Sequence, residues 1–192
     1  MKKIIFLILM GLSFSFGITP SKGDLPDFTP MFAIRSLETG ISLSPFRESS
    51  ERLEDQNWIL REIILSDELK QKDTLAEKLP FGYVQFVNPS DDDLCLAILE
   101  SGFFGGKSCK QDLKEGKLET IFSIMPTTTS AVQIRSLVLG GTECMIVFNN
   151  PQVPIEQRFG IQQCTLDDPA LFLELYELMF FTPAIIEATP LY

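Results

Sequence analysis

The chain has 192 residues, of which 45% are hydrophobic, and it carries 26 acidic and 16 basic side chains but no histidine. The formal net charge of −10 disfavours direct binding to the phosphate backbone of nucleic acids. The lack of histidine excludes Ser-His-Asp triads, Cys-His dyads and nucleases that use a histidine general base. Hydrolysis by a pair of carboxylates needs no histidine and remains open.

Residues 1–17 have the pattern of a secretory signal peptide. Two lysines precede the apolar run IIFLILM, and Ser15 and Gly17 stand at the −3 and −1 positions of a plausible cleavage site. A membrane anchor is the alternative, but the run is shorter than the roughly 20 apolar residues that a span needs. We therefore expect an exported protein, located in the periplasm or at the outer membrane surface and then outside the cell.

An extended arm is predicted at each end of the mature chain. Residues 18–30, ITPSKGDLPDFTP, hold three prolines and show no apolar periodicity. The end of the chain, TPAIIEATPLY, holds two prolines, and its arm is placed at residues 184–192. Phe28 is a candidate for contact with a partner protein, because aromatic side chains concentrate in interface cores.

Residues 31–183 show one hairpin pattern three times. The strand-like runs MFAIRSL, YVQFVN and AVQIRSLVL are followed by the turns ETG, PSDDD and GGTE, and then by ISLSPF, LCLAIL and CMIVFN. Ile34, Phe86 and Ile134 occupy the same place in the three copies, and the tetrapeptide IRSL occurs in the first and the third. We interpret this pattern as a threefold repeat with a period of about 50 residues.

Each copy closes with another apolar stretch, NWILREIIL, ETIFSIMP or ELMFFTP, which supplies a fourth strand. Four strands per unit suit a propeller or a β-trefoil, but three blades fall below the usual range of about 4–8. The prediction is therefore an all-β protein with a β-trefoil fold. Two helical segments are expected beside the strands. One is SDELKQKDTLAEKLP, from Ser66 to Pro80, and the other is a helical turn at the start of DPALFLELYELMFF, capped by Asp168, before the closing strand.

Four cysteines in an exported protein imply disulfides. Three pairings are possible, and the sequential one, Cys95–Cys109 with Cys144–Cys164, suits local repeats best. A zinc site is the competing interpretation, but the chain has no CxxC spacing. Neither a metal nor a cofactor is expected. The cysteines belong to the second and third copies, and Leu43 occupies the corresponding place in the first.

Gln56-Asn57-Trp58 forms a Q-x-W triplet at the start of the last strand of the first copy. Ricin-type lectin repeats carry this triplet at the same place, with the aromatic ring in the shared core and the glutamine bonded to nearby backbone. The similarity predicts that Gln56 and Trp58 belong to the core of the repeat.

Sugar sites in such lectins pair an aspartate with an aromatic platform. Asp91 and Asp93 lie in a predicted hairpin turn, and Phe103 and Phe104 follow about ten residues later. These four residues are the candidates for a degenerate surface-binding site. A solvated turn is the competing interpretation of the aspartates.

Several long stretches resemble the C-type component of cytolethal distending toxins, as in Campylobacter and its relatives. They are IRSLETG, DQNW, LSDELKQKD, LPFGYVQF, KLETIFSIMPTTTSAVQIRSLVL, RFGI and ATPL, and they cover most of the mature chain. The resemblance implies a ricin-B-like β-trefoil without catalytic activity. It also implies assembly with a second lectin-like component, of the A type, and with a nuclease component, of the B type, which resembles DNase I.

In this family, the A-type and C-type components bind a glycan or lipid of the host-cell surface and deliver the nuclease, which damages DNA and arrests the cell cycle. The N-terminal arm of the C-type component lies along the nuclease. The resemblance places that arm at residues 18–30, where Asp24 and Asp27 are candidates to imitate phosphate in the nuclease cleft. A free-standing secreted carbohydrate-binding lectin is the alternative function, and a carboxylate hydrolase is a third.

Overall fold

The computed structural model describes residues 31–45, 53–165 and 173–185. The predicted signal peptide, the arm at residues 18–30 with Asp24, Asp27 and Phe28, and the helix cap at Asp168 lie outside these ranges. Ala184 and Ile185 are the described residues of the C-terminal arm. None of the helices in the described ranges is long and apolar enough to cross a membrane.

The described part of the chain is built mainly from strands. They are β1 (Phe32–Ser36), β2 (Ile59–Ile63), β3 (Tyr83–Asn88), β4 (Asp91–Ile98), β5 (Phe104–Ser108), β6 (Phe122–Pro126), β7 (Val132–Ser136), β8 (Glu143–Val147), β9 (Phe159–Gln163) and β10 (Met179–Pro183). Two short α-helices, α1 (Asp67–Lys70) and α2 (Cys109–Glu115), and several 3₁₀ turns complete the described elements.

Six of the strands close into a barrel. Antiparallel pairs join β1 to β10, β7 to β6, and β3 to β2. Single pairing contacts join β10 to β7 and β6 to β3, and the bridge between Phe32 and Trp58 joins β2 to β1. The hairpins β4–β5 and β8–β9 attach to β3 and β7. This arrangement is the predicted β-trefoil.

The strand registers relate the three units residue by residue. Ile34, Phe86 and Ile134 are fully buried. They lie opposite Phe181, Leu60 and Ile124 on the fourth strands. Trp58, Phe122 and Met179 likewise correspond, because each faces the first strand of its own unit, and all three are fully buried. The repeat read from the sequence is therefore a structural repeat.

Both disulfides have the predicted sequential pairing, Cys95–Cys109 and Cys144–Cys164. The registers correct the place of the missing cysteine in the first unit. Cys95 lies opposite Val87 on β3, and Cys144 lies opposite Arg135 on β7. Ser42 lies opposite Arg35, the equivalent position on β1, so Ser42 and not Leu43 corresponds to the cysteines. The expectation fails because the three turns differ in length, so counting along the chain from Ile34 lands one residue too far.

Three predicted elements differ in extent from the observed ones. The second run of the first copy is a single bridge at Ser42, and β4 begins at Asp91, inside the predicted turn PSDDD. The segment that starts at Ser66 is helical only over Asp67–Lys70. Its helix ends early because the next residues turn so that the side chain of Asp73 faces the barrel, where it meets Arg135 on β7.

Residues 64–82, which connect β2 to β3, form an insertion on the outside of the barrel. Leu65 of this insertion forms a second apolar cluster with Leu118, Ile121 and Leu137 of the rest of the domain. Thr74 also binds the insertion to the third unit, because its backbone N–H and its hydroxyl both donate to the carbonyl of Gly140, at 3.0 and 2.8 Å.

Candidate binding groove

The structure separates the two halves of the surface site that the sequence suggests in the second unit. Asp91 and Asp93 lie at the start of β4, whereas Phe104 pairs with Ile98 at its other end. Asp93 and Ile98 are therefore roughly 16 Å apart along the strand. Phe104 is buried in the core, and Phe103 beside it is exposed. These four residues do not form one site.

Asp93 instead supports the start of helix α2. Its carboxylate accepts hydrogen bonds from the Ser108 hydroxyl at 2.7 Å and from the Lys110 N–H at 3.0 Å. Ser108 in turn accepts from the N–H of Gln111 as the helix cap. The hydrogen bond from Ser108, followed by that from Lys110, holds the pKa of Asp93 below its usual value. The aspartate therefore has a structural partner within its own unit.

The third unit carries a more suitable binding feature, an open groove of about 440 Å³. Its lining residues come from the end of β8 and the loop after it, from β9, from the turn before β10 and from the first unit. They are Glu38, Ile146, Val147, Phe148, Asn149, Asn150, Gln162 and Tyr176. Amide, carboxylate and phenol groups beside a partly exposed ring can bind a polar ligand that also has an apolar face.

Glycine at position 160 allows Phe148 to form the wall of this groove. A Cβ atom on Gly160 would lie 2.7 Å from Cε2 of Phe148, so the ring rests where a side chain would otherwise stand. Gly105 has the corresponding place in the second unit, where the side chain of Leu99 fills the space at 2.6 Å. The glycine at this position therefore makes room for an aromatic ring in the third unit and for an aliphatic side chain in the second.

The corresponding place in the second unit carries an ion pair. Lys107 faces Cys95 as Gln162 faces Cys144, so the two residues correspond. Lys107 Nζ lies 2.6 Å from Glu119 Oε2, and both side chains line a pocket of about 250 Å³. In the third unit, Gln162 instead makes an uncharged contact of 3.4 Å with the hydroxyl of Tyr176. The groove of the third unit thus has an uncharged contact where the smaller, charged pocket of the second unit, of about 250 Å³, has an ion pair.

The groove lies where the third unit meets the first. The amide of Asn149 donates to Glu38 Oε1 at 3.2 Å, and Glu38 belongs to the turn after β1. Sequence reasoning overlooked this site, although Phe148, Asn149 and Asn150 follow an apolar strand in an arrangement that suits a binding loop. Among the described residues, no group of three or more Cys, Asp or Glu side chains is placed to hold a metal ion.

Residues 31–190 match the family described as the cytolethal distending toxin A/C domain. The chain belongs to this family. Among solved structures, it is similar to a chain of the Haemophilus ducreyi cytolethal distending toxin, at 20% identity and a TM-score of 0.61, with 85% of this chain and 92% of that chain covered. It is also similar to a chain of the Actinobacillus actinomycetemcomitans toxin, at 21% identity and a TM-score of 0.61, with 87% and 96% covered. No curated protein sequence matches it.

The chain is thus a cytolethal distending toxin subunit of the A/C type, and the two solved toxin structures support its fold. Within this protein Trp58 is fully buried, and its indole N–H donates to the carbonyl of Leu43 at 3.4 Å. Gln56 lies in the 3₁₀ turn before it. The side chain of Asn57 holds the backbone of Ile185 through two hydrogen bonds of 2.8 Å. The middle residue of the triplet therefore fixes the start of the C-terminal arm.

Proposed function

We propose that this chain is the C-type component of a secreted tripartite genotoxin, which binds the host-cell surface and helps to deliver a DNase-I-like nuclease. The observation that carries the proposal is the match of residues 31–190 to the toxin A/C domain. The stretches that resemble C-type components, above all KLETIFSIMPTTTSAVQIRSLVL, favour the C type over the A type. In this role the protein is a binding component, and the nuclease performs the DNA damage.

The chemistry of the chain supports a non-catalytic role. The chain has no histidine, and the lining of the groove includes one carboxylate, that of Glu38. A carboxylate-only hydrolase needs two acids that face each other across the substrate. The groove therefore suits binding better than hydrolysis.

In the proposed function, residues 1–17 direct export and residues 18–30 contact the nuclease. Proline restricts the unbound arm, so the arm loses less conformational entropy when it docks. Asp24 and Asp27 supply negative charge that imitates phosphate, and Phe28 supplies an apolar contact.

The test is co-expression of the tagged chain with an A-type component and a DNase-I-like component. We expect the tagged chain to retain both partners, and the purified assembly to arrest the cell cycle of cultured cells. Deletion of residues 18–30, or alanine at Asp24 and Asp27, should weaken retention of the nuclease. Alanine at Asp67 and Glu68, two exposed acids of α1, is the matched control and should leave retention unchanged. A wild-type chain that retains neither partner contradicts the proposal.

A free-standing secreted lectin is the second candidate function, and the groove of the third unit is the observation that favours it. A lectin of this kind binds glycans without partners. A glycan array probed with the isolated chain tests this function, with Phe148→Ala and Tyr176→Ala as groove variants. Glycan binding that both variants abolish, together with no retention of a nuclease, would favour the lectin.

A further inference from the structure

The tetrapeptide Ile-Arg-Ser-Leu occurs at two corresponding places in the fold, and within the described part of the chain an inserted segment covers the second of them. The first copy ends β1 and the second ends β7, with Arg35 and Arg135 one residue beyond the central core positions. Both arginines donate through Nη1 to the carbonyl of a glycine in the following turn, at 3.0 Å in each case. The two copies therefore have the same local structure.

The insertion covers the second copy. Arg135 is fully buried and forms two hydrogen bonds with the carboxylate of Asp73, which the insertion supplies. Leu137 is only 2% exposed, and Leu118 beside it is 1% exposed. The carboxylate of Asp73 and the apolar side chains of the second cluster thus cover this face of the barrel.

Among the described residues, no segment covers the first copy in this way. Leu37, which corresponds to Leu137, is 43% exposed. Leu175 corresponds to Leu118, because each lies four residues before the matching strand positions Met179 and Phe122, and it is 56% exposed. Among the described residues, no carboxylate forms an ion pair with Arg35. We define Arg35, Leu37 and Leu175 as the uncovered face.

The topology explains why no connection between the described strands covers this face. The segment after β2, residues 64–82, covers the face that contains Arg135. The threefold repeat makes residues 127–131, the segment after β6, the counterpart that would cover Arg35. That segment is a tight turn, in which the Thr127 hydroxyl donates to the carbonyl of Ala131 at 2.7 Å. It is too short to fold back over the barrel.

We propose that the uncovered face binds a segment of a partner protein that presents a carboxylate flanked by leucine-like side chains. The carboxylate pairs with Arg35, and the apolar side chains bury Leu37 and Leu175, as the insertion does at the other copy. Charge complementarity and the internal precedent of Asp73 together define this occupant. The inference rests on the proposed function, in which the partner is another component of the toxin.

The test uses the full chain reconstituted with the A-type and nuclease components. Hydrogen–deuterium exchange should show protection of residues 35–37 and 175–180 on assembly. The double variant Leu37→Ser/Leu175→Ser and the variant Arg35→Glu should each weaken assembly by about tenfold or more, because apolar anchors and paired charges dominate such interfaces. The double variant Ile64→Ser/Leu139→Ser is the matched control, since both residues are more exposed than the leucines of the face. It should assemble normally.

The outcomes separate the two proposals. Normal assembly of both face variants, without protection of the face, would overturn the docking surface and leave the proposed function intact. Failure of the wild-type chain to assemble would overturn both. A dimer of the isolated chain that Arg35→Glu dissociates would show that the occupant is a second copy of this chain, and it would overturn the assignment to a different toxin component. Circular dichroism of each variant checks that it has folded.

Discussion

The guanidinium of Arg135 holds the carboxylate of Asp73 through hydrogen bonds of 2.6 and 2.8 Å, and neither side chain is accessible to solvent. The hydroxyl of Tyr83 and the N–H of Leu75 donate to the same carboxylate, at 3.0 and 2.9 Å. These bonds stabilise an ion pair that burial would otherwise destabilise, although the buried Nε of Arg135 has no hydrogen-bond partner among the described residues. The pair fixes the insertion on the barrel. Arg35, which corresponds to Arg135, has no such ion pair among the described residues.

We expect Asp73→Asn to reduce the free energy of unfolding by about 3–5 kcal/mol, because it leaves the buried Arg135 without its charge partner. Urea unfolding followed by circular dichroism measures the change. Asp67→Asn, on the exposed surface of α1, is the control and should change the free energy by less than about 0.5 kcal/mol. Equal stability of the two variants would contradict a structural role for the pair.

The same pair predicts how stability depends on pH. Burial alone would raise the pKa of Asp73, but its hydrogen bonds and the charge of Arg135 hold that pKa below the ordinary value of 3.8. The stabilisation is therefore fully present above about pH 3.8 and is lost as the pH falls through the lower folded-state pKa. Unfolding of the wild type and Asp73→Asn at several pH values should show a constant difference at and above about pH 5 that shrinks only below pH 3.8. A difference that already shrinks between about pH 7 and pH 5 would be inconsistent with this account.

Removal of either disulfide should destabilise the domain by about 2–4 kcal/mol. The Cys144–Cys164 loop spans 20 residues and the Cys95–Cys109 loop spans 14, so the paired serine variants should differ only slightly, with the larger loss for the longer loop. Melting temperatures of the two double-serine variants measure this. Ser42→Ala is the companion variant at the corresponding place in the first unit. It should be neutral or stabilising, because the buried hydroxyl of Ser42 has no hydrogen-bond partner among the described residues.

Gly160→Ala and Gly105→Ala form a matched pair that tests the groove. Each added methyl group enters the space of a neighbouring side chain, Phe148 in the first variant and Leu99 in the second. We expect each variant to lose about 1–3 kcal/mol of stability from overpacking. Only Gly160→Ala should alter ligand binding by the groove, which glycan binding or ring chemical shifts of Phe148 would report. Identical effects of both variants on binding would argue against the groove.

Trp58 should tolerate phenylalanine far better than alanine. Phe122 occupies the corresponding place in the second unit, so the barrel core already accepts that ring. We expect Trp58→Ala to lose about 3–5 kcal/mol and Trp58→Phe clearly less. Far-ultraviolet circular dichroism during denaturant unfolding measures both, since Trp58 is the single tryptophan. A larger loss for phenylalanine than for alanine would refute the correspondence between the units.

Much of the fold could be predicted because its signals are local. The strands that start each unit, the closing strands and the sequential disulfides all follow from runs of apolar residues, turn residues and spacings within one unit. The strands β5 and β9 and the helix α2 gave weaker local signals. Gly105 and Gly160 weaken the strand propensity of β5 and β9, although in the fold both strands are continuous and these glycines make room for Leu99 and Phe148. The choice of Leu43 over Ser42 failed because corresponding places depend on turn lengths.

The sequence by itself determined that this is an all-β chain with three repeated units, local disulfides and no histidine chemistry. Only the tertiary structure decided which surfaces those units present. Asp73 and Arg135 are 62 residues apart, and Glu38 and Asn149 are 111 residues apart, so no local pattern links them. Closing the barrel brings these distant residues into contact, and the insertion covers Arg135 and Leu137 in one copy of the repeated tetrapeptide while Leu37 in the other copy is exposed. The physical reason is that local patterns specify strands and turns, whereas binding surfaces arise where separate units meet.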